Sequence, residues 1–241
     1  MPSHRRRALA VVMSAASGIA MSAAMAGSGR GEAIIRGSGA VELRYTVIAD
    51  QCGDRLSTEW LHPDGSLAAS EEVELTDGRW SRYRLRRANL GQDLMAERRG
   101  DAVTISDAAR AAGRPPARLT ARGTLLAGPE LVSFLQDRLE ALRAGRPLEF
   151  QYLLADRGTA LGFIARGRVQ GTDTTVVMEA SSALTRPFVP TTTFRFSADG
   201  GLREVVGRML PVVGDSRSQK PLDGILQMSV SQSTCNRKSL S

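Results

Sequence analysis

The segment GPELVSFLQDRLEALRAGRP, Gly128 to Pro147, is the one stretch with helical periodicity in a chain otherwise made of short alternating runs. Leu131, Leu135, Leu139 and Leu142 recur every three or four residues, flanked by Val132 and Phe134, while Gln136, Asp137, Glu140 and Arg143 face away. Pro129 suits a first turn, where a missing N–H costs nothing, and Gly145 with Pro147 supplies the stop. These signals predict a helix over 129–144. Its apolar stripe must be covered, and the material on either side is strand-like. The chain is therefore constrained to lay one helix against, or into the concavity of, an antiparallel sheet.

The strand signal is alternation punctuated by turn chemistry. Val41, Leu43, Tyr45 and Val47 alternate with polar residues, as do Leu148, Phe150, Tyr152 and Leu154. Between such runs stand His62-Pro63-Asp64-Gly65, Asp77-Gly78, Arg99-Gly100-Asp101, Arg157-Gly158 and Ala198-Asp199-Gly200-Gly201, which predict hairpins. Asp107 to Ala127, with Pro115-Pro116, reads as a long connection holding a short strand at Arg118 to Leu126, and a linker between two lobes fits it too. The expected fold is mainly β (α+β): an antiparallel, strongly curved sheet or incomplete barrel with one central amphipathic helix. A single domain is expected over 40–231, after a Gly/Ser-rich flexible lead-in over 27–39 and before a polar tail over 232–241.

Residues 1–26 carry Arg5, Arg6 and Arg7, then an uncharged Ala-rich run, then Ala24-Met25-Ala26, the three parts of a secretory signal. A periplasmic or secreted location follows, with no transmembrane segment after signal removal. In an oxidising compartment the two cysteines, Cys52 and Cys235, are expected to pair, and closing so long a loop is worth ~4 to 5 kcal/mol in a chain-entropy picture. The net charge of +7 falls to +4 once Arg5, Arg6 and Arg7 are removed. The remaining arginines are scattered along the strands, so no nucleic-acid partner is expected.

Two segments, GPELVSFLQDRLEALRAGRPLEFQYLLADRGTALGF and RPFVPTTTFRFSADGGLREVVGRMLP, with the late PLDG, resemble a family of uncharacterised exported bacterial proteins. The resemblance covers much of 123–224 and brings no activity with it. In architecture, the strand-rich pattern with one helix is also similar to periplasmic lipid and lipoprotein carriers built on an open, curved sheet.

Catalytic signatures are sparse. After signal removal His62 is the one histidine, and its place in a Pro-Asp-Gly turn marks it as a solvated turn residue. No metal cluster, nucleophile elbow, phosphate loop or cofactor motif stands in the chain. Glu71 and Glu72 are adjacent, so in a strand they point to opposite faces and read as surface charge rather than a catalytic pair. The aromatics Trp80, Phe150, Phe163 and Phe194, with Leu135 of the helix, are the candidate ligand-binding residues. Their ordinary role is core packing, and they line an apolar groove if the helix leaves the concave face partly open. The leading expectation is a non-catalytic binding or carrier module for an apolar small molecule or lipid. An envelope interaction or assembly protein comes next, and a hydrolase working through two carboxylates last.

Overall fold

The computed structural model describes residues 29–36, 42–108, 115–214 and 219–230. The first half of the chain gives β1 (Gly29–Arg36), β2 (Glu42–Cys52), β3 (Arg55–Leu61), β4 (Leu67–Thr76), β5 (Arg79–Arg87), β6 (Gln92–Arg99), β7 (Ala102–Asp107) and β8 (Ala117–Thr120). A two-residue strand, β9 (Leu125–Leu126), precedes the helices α1 (Glu130–Gln136) and α2 (Leu139–Arg143). Then come β10 (Leu148–Leu154), β11 (Thr159–Gln170), β12 (Asp173–Ala180), β13 (Thr192–Phe196), β14 (Leu202–Val213) and β15 (Lys220–Val230).

Alternation becomes pleat. In β12 the side chains of Thr174, Val176, Met178 and Ala180 are buried while their neighbours are partly exposed. Outward-facing arginines pair with acids on the adjacent strand: Arg84 with Asp93 at 2.6 Å, Arg55 with Glu72 at 2.5 Å, Arg44 with Glu32 at 2.9 Å. The hairpin turns stand where the turn residues predict them. Asp77, at φ 51°, and Gly78, at φ 71°, make the β4–β5 turn, since left-handed backbone favours Asp and Gly.

The strands form one unclosed sheet, ordered from β8 down to β1, then from β15 down to β9, antiparallel throughout apart from the β9–β10 pair. The described ends of the chain thus lie at the sheet's centre, where Ala33 of β1 opposes Leu226 of β15 and Tyr45 of β2. Its two edges, β8 and β9, belong to the middle of the chain and are joined by residues 121–124 alone. So short a link brings the edges together and forces the sheet to curl. Bonds between the halves hold the curl. Trp80 Nε1 donates to the Leu125 carbonyl at 2.8 Å, Arg87 meets Asp156 at 3.2 Å, and Asn89 Nδ2 donates to the Val212 carbonyl at 2.8 Å.

The concavity is filled by the helices, and Leu131, Leu135, Leu139 and Leu142 are all buried there. Gly167 of β11 admits α2 directly, since a Cβ there would stand 2.5 Å from the Leu142 carbonyl oxygen. Arg143 then fastens the helix end, its Nε donating to Thr174 Oγ1 at 2.9 Å and its Nη2 to the Ala198 carbonyl at 2.9 Å.

Three expectations change. The helix expected over 129–144 is two helices, because Arg138 leaves helical geometry (φ −115°, ψ 16°) and folds its guanidinium over the Phe134 ring at 4.1 Å. The leucine stripe survives this break because the second helix restarts with Leu139 and Leu142 still facing inward. The flexible lead-in over 27–39 contains strand β1, which is hydrogen-bonded on both sides. Ala33 and Ile35 supply the apolar phase, and Gly31 sits where only a bare α-carbon fits against Met228. Glu71 is not surface charge: it is buried in β4, and only Glu72 faces out. The signal segment 1–26, the tail 232–241 and Cys235 lie outside the described residues, and the described partner, Cys52, ends β2 partly buried.

Candidate functional site

Each expected ligand-binding residue belongs to the core. Phe150 and Phe163 oppose one another across β10 and β11, with ring centroids 6.1 Å apart, and Phe134 of α1 meets Phe150 at 5.3 Å. Phe194 stacks on Phe196 at 6.3 Å, and Leu135 of α1 is fully buried. Trp80 is buried as well, but it stands behind a cleft, with the Arg98 guanidinium 5.6 Å over its ring. The structure gathers Trp80, Leu135, Phe150, Phe163 and Phe194 into one contiguous core, in which Phe150 and Phe163 are in direct ring contact.

The cleft in front of Trp80 has a volume of about 720 Å³. One wall is apolar: Leu56, Leu75, Leu125, Leu126 and Phe134. The rim is charged, with Arg79, Arg98 and Arg138 set against Asp101, Glu130 and Asp137. It lies beside β9 and the link that joins β9 to β8, so its lining includes Gly123 and Thr124 of the link.

Glu130, in the first turn of α1, is the site's central titratable group. Its Oε2 accepts from the Ala127 backbone N–H at 3.1 Å, and the Trp80 backbone also hydrogen-bonds it. Burial raises its pKa to about 7, against the pull of those bonds and of the Arg98 and Arg138 charges. Arg98 donates through Nε to the Gly100 carbonyl at 2.9 Å and through Nη1 to the Leu125 carbonyl at 3.3 Å. Arg138 donates through Nη1 to the Phe134 carbonyl at 3.4 Å. Neither guanidinium forms an ion pair among the described residues, and both keep donors in reserve. Ser133 adds an enclosed hydroxyl without a hydrogen-bond partner among the described residues.

A second polar cluster is buried one turn away. Tyr83 donates its hydroxyl to Glu71, and Arg87 bridges to Asp156 at 3.2 Å and to Gln92 Oε1 at 3.2 Å. Burial lifts the Glu71 carboxyl to about 7 and holds the Tyr83 and Tyr152 phenols well above their usual range. The free space there is about 10 Å³, too little for a substrate, so this cluster is a clasp between β4–β5 and β10. Gly128 connects the two sites: at φ 48° it lies between the Tyr83 ring and the Glu71 carboxyl, two residues before Glu130.

These charged residues were open to detection as conflicts of phase. Arg87 follows Tyr83 and Leu85 on the inward phase of β5, and Glu71 shares the inward phase of β4 with Val73. A charge in the apolar phase of a strand marks a buried network. Arg98 carries the same signal, following Leu94 and Ala96 on the inward phase of β6, whereas Arg138 carries none. His62, expected in solvent, stands partly buried with its ring 5.3 Å from Tyr45, on a cleft of about 470 Å³. Among the described residues no cluster of His, Cys, Asp or Glu is placed to hold a metal, and no helix is long and apolar enough to cross a membrane.

No family model and no curated protein matches the chain. Among solved structures, the β-barrel-like protein of domain of unknown function DUF1849 from Brucella abortus is similar, with a TM-score of 0.48 and 10% identity. The similarity covers 88% of this chain and 100% of that one.

Proposed function

We propose that the chain is an exported, periplasmic binding module, non-catalytic, that takes an amphiphilic small molecule in the cleft beside α1 and β9. The observation that carries this reading is the lining of that 720 Å³ cleft, an apolar wall of leucines and Phe134 beside a charged rim of three arginines and three carboxylates. Because the helices occupy the concavity and the five side chains first expected to hold a ligand are buried, the ligand's place moves from the concave face to its mouth. Export rests on the three-part pattern of residues 1–26, and with it the pairing of Cys52 with Cys235 in the mature protein. The test is native mass spectrometry of protein purified without detergent, followed by solvent extraction. A co-purifying amphiphile, lost when the half-buried Leu75 is changed to Asp with the fold intact, is the expected result. A ligand that persists in Leu75→Asp sinks the placement, and a chain that never retains or accepts an amphiphile sinks the reading.

A second reading, an envelope interaction or assembly protein, is favoured by one observation. The loop between β12 and β13 exposes Leu184 at 85% and Phe188 at 53%, and β8 and β9 are the edge strands of the sheet. Under this reading, cross-linking in cells captures a protein partner, and Leu184→Asp with Phe188→Asp abolishes the capture without changing amphiphile binding.

A further inference from the structure

The binding reading leaves the ligand's polar end open, and the cleft's charges bear on it. Arg79, Arg98 and Arg138 oppose Glu130, Asp101 and Asp137, so the rim is balanced when every carboxyl is ionised. Glu130 is the unusual member. It is largely buried against the Trp80 and Ala127 backbone, with the charges of Arg98 on β6 and of Arg138 just beyond α1 acting on it. Arg98 keeps its Nη2 amino group and Arg138 most of its fork unbonded among the described residues, and the enclosed Ser133 hydroxyl also waits for a partner. Donors are therefore in surplus around one buried carboxyl. Such a set satisfies an oxygen anion, since guanidinium donors pair bidentately with carboxylates and an enclosed hydroxyl without a partner is costly.

We infer that the ligand is a monoanionic amphiphile, an acyl-chain carboxylate, whose head group sits between Arg98, Arg138 and Ser133 and shares a proton with Glu130. The inference rests on the binding reading. The chain lies along Leu56, Leu75, Leu126 and Phe134. The charge count selects a single negative charge: protonating Glu130 leaves the rim one positive charge in excess, which one carboxylate neutralises. A dianionic head group would meet Asp101 and Asp137 without compensation. Because the ligand favours the protonated form of Glu130, binding takes up a proton and weakens as Glu130 ionises.

The test uses laurate and dodecanol, which share a chain and differ in the head group, titrated into the full chain at about pH 6 and about pH 8.5. Laurate is expected to bind about tenfold more tightly than dodecanol at the lower pH, the difference one charge-assisted set of bonds provides. Arg138→Gln, at an exposed position and shown folded by its melting curve, removes that discrimination between laurate and dodecanol. Arg98→Gln does the same wherever its melting curve shows a folded protein. Glu130→Gln binds laurate equally at both pH values. Equal binding of laurate and dodecanol overturns the anion inference and leaves the binding reading standing, whereas failure of both probes to bind overturns the two together. Discrimination that survives Arg138→Gln also overturns the inference, by showing that the head group lies elsewhere.

Discussion

Trp80 of β5 donates its indole N–H to the carbonyl of Leu125 in β9, 2.8 Å away, so that a strand of the first half holds the sheet edge of the second. The bond is buried, and Arg98 reaches the same carbonyl from the cleft side at 3.3 Å. Trp80→Phe keeps most of the ring and deletes the donor. The expected cost is about 1 to 2 kcal/mol, the worth of one buried hydrogen bond, with Arg98 still serving the carbonyl. Urea unfolding measures it, and an unchanged midpoint would show that the seam does not depend on this bond.

Glu71 predicts a pH dependence with a definite sign. Its carboxyl titrates near 7 in the fold, against an ordinary value of 4.5, because burial disfavours the charge more than Tyr83 and Arg87 favour it. The folded state therefore holds the proton more tightly. The stability this provides is complete below about pH 4.5 and is lost as pH rises through about 7, by up to about 3 kcal/mol. Glu71→Gln keeps a partner for Tyr83 and abolishes that loss. Its melting temperature relative to the parent rises from pH 5 to pH 8, both approximate settings within this window. A difference that stays flat with pH would contradict the assignment.

Gly128 has no spare room. Its φ of 48° and a position at which a Cβ would stand 2.7 Å from a Tyr83 ring carbon both exclude a side chain. Gly128→Ala is expected to cost about 1 to 3 kcal/mol through strained backbone and a displaced phenol. Thermal melting checks it, with Gly145→Ala as comparison, since that position is also left-handed but opens onto empty space. Equal losses would place the whole cost in the backbone.

The two cysteines give a fourth prediction. Peptide mapping under non-reducing conditions, on protein exported in vivo, recovers Cys52 and Cys235 in one linked peptide. Recovery of both as alkylated free thiols would remove the disulfide from the account.

Much of the fold was legible because hairpins are local. Asp77-Gly78, Arg99-Gly100-Asp101 and Arg157-Gly158 announce their turns, and alternation fixes which side of each strand is buried. The place of β1 was not legible, because Gly29, Gly31 and Gly37 resemble a linker, and its register depends on β15, some 190 residues away in sequence. The helix break at Arg138 was hidden for a related reason: no helix-breaking residue stands there, and Arg138 leaves helical geometry with its guanidinium over the Phe134 ring. At the candidate site, the aromatics stood out by composition but serve the core. Arg98 was marked by its place after Leu94 and Ala96 on the inward phase of β6, but Glu130 and Arg138 looked like ordinary surface charge, since nothing in the local pattern reveals that α1 brings them beside β6 and β9.

The most direct test of the cleft is a nuclear magnetic resonance titration of the isotopically labelled protein with laurate. The account predicts shifts confined to Arg98, Glu130, Ser133, Phe134, Arg138 and the methyl groups of Leu56, Leu75 and Leu126, with Phe163 and Phe194 unmoved. Shifts centred on Phe163 and Phe194, with the cleft silent, would contradict it and return the ligand to the concave face.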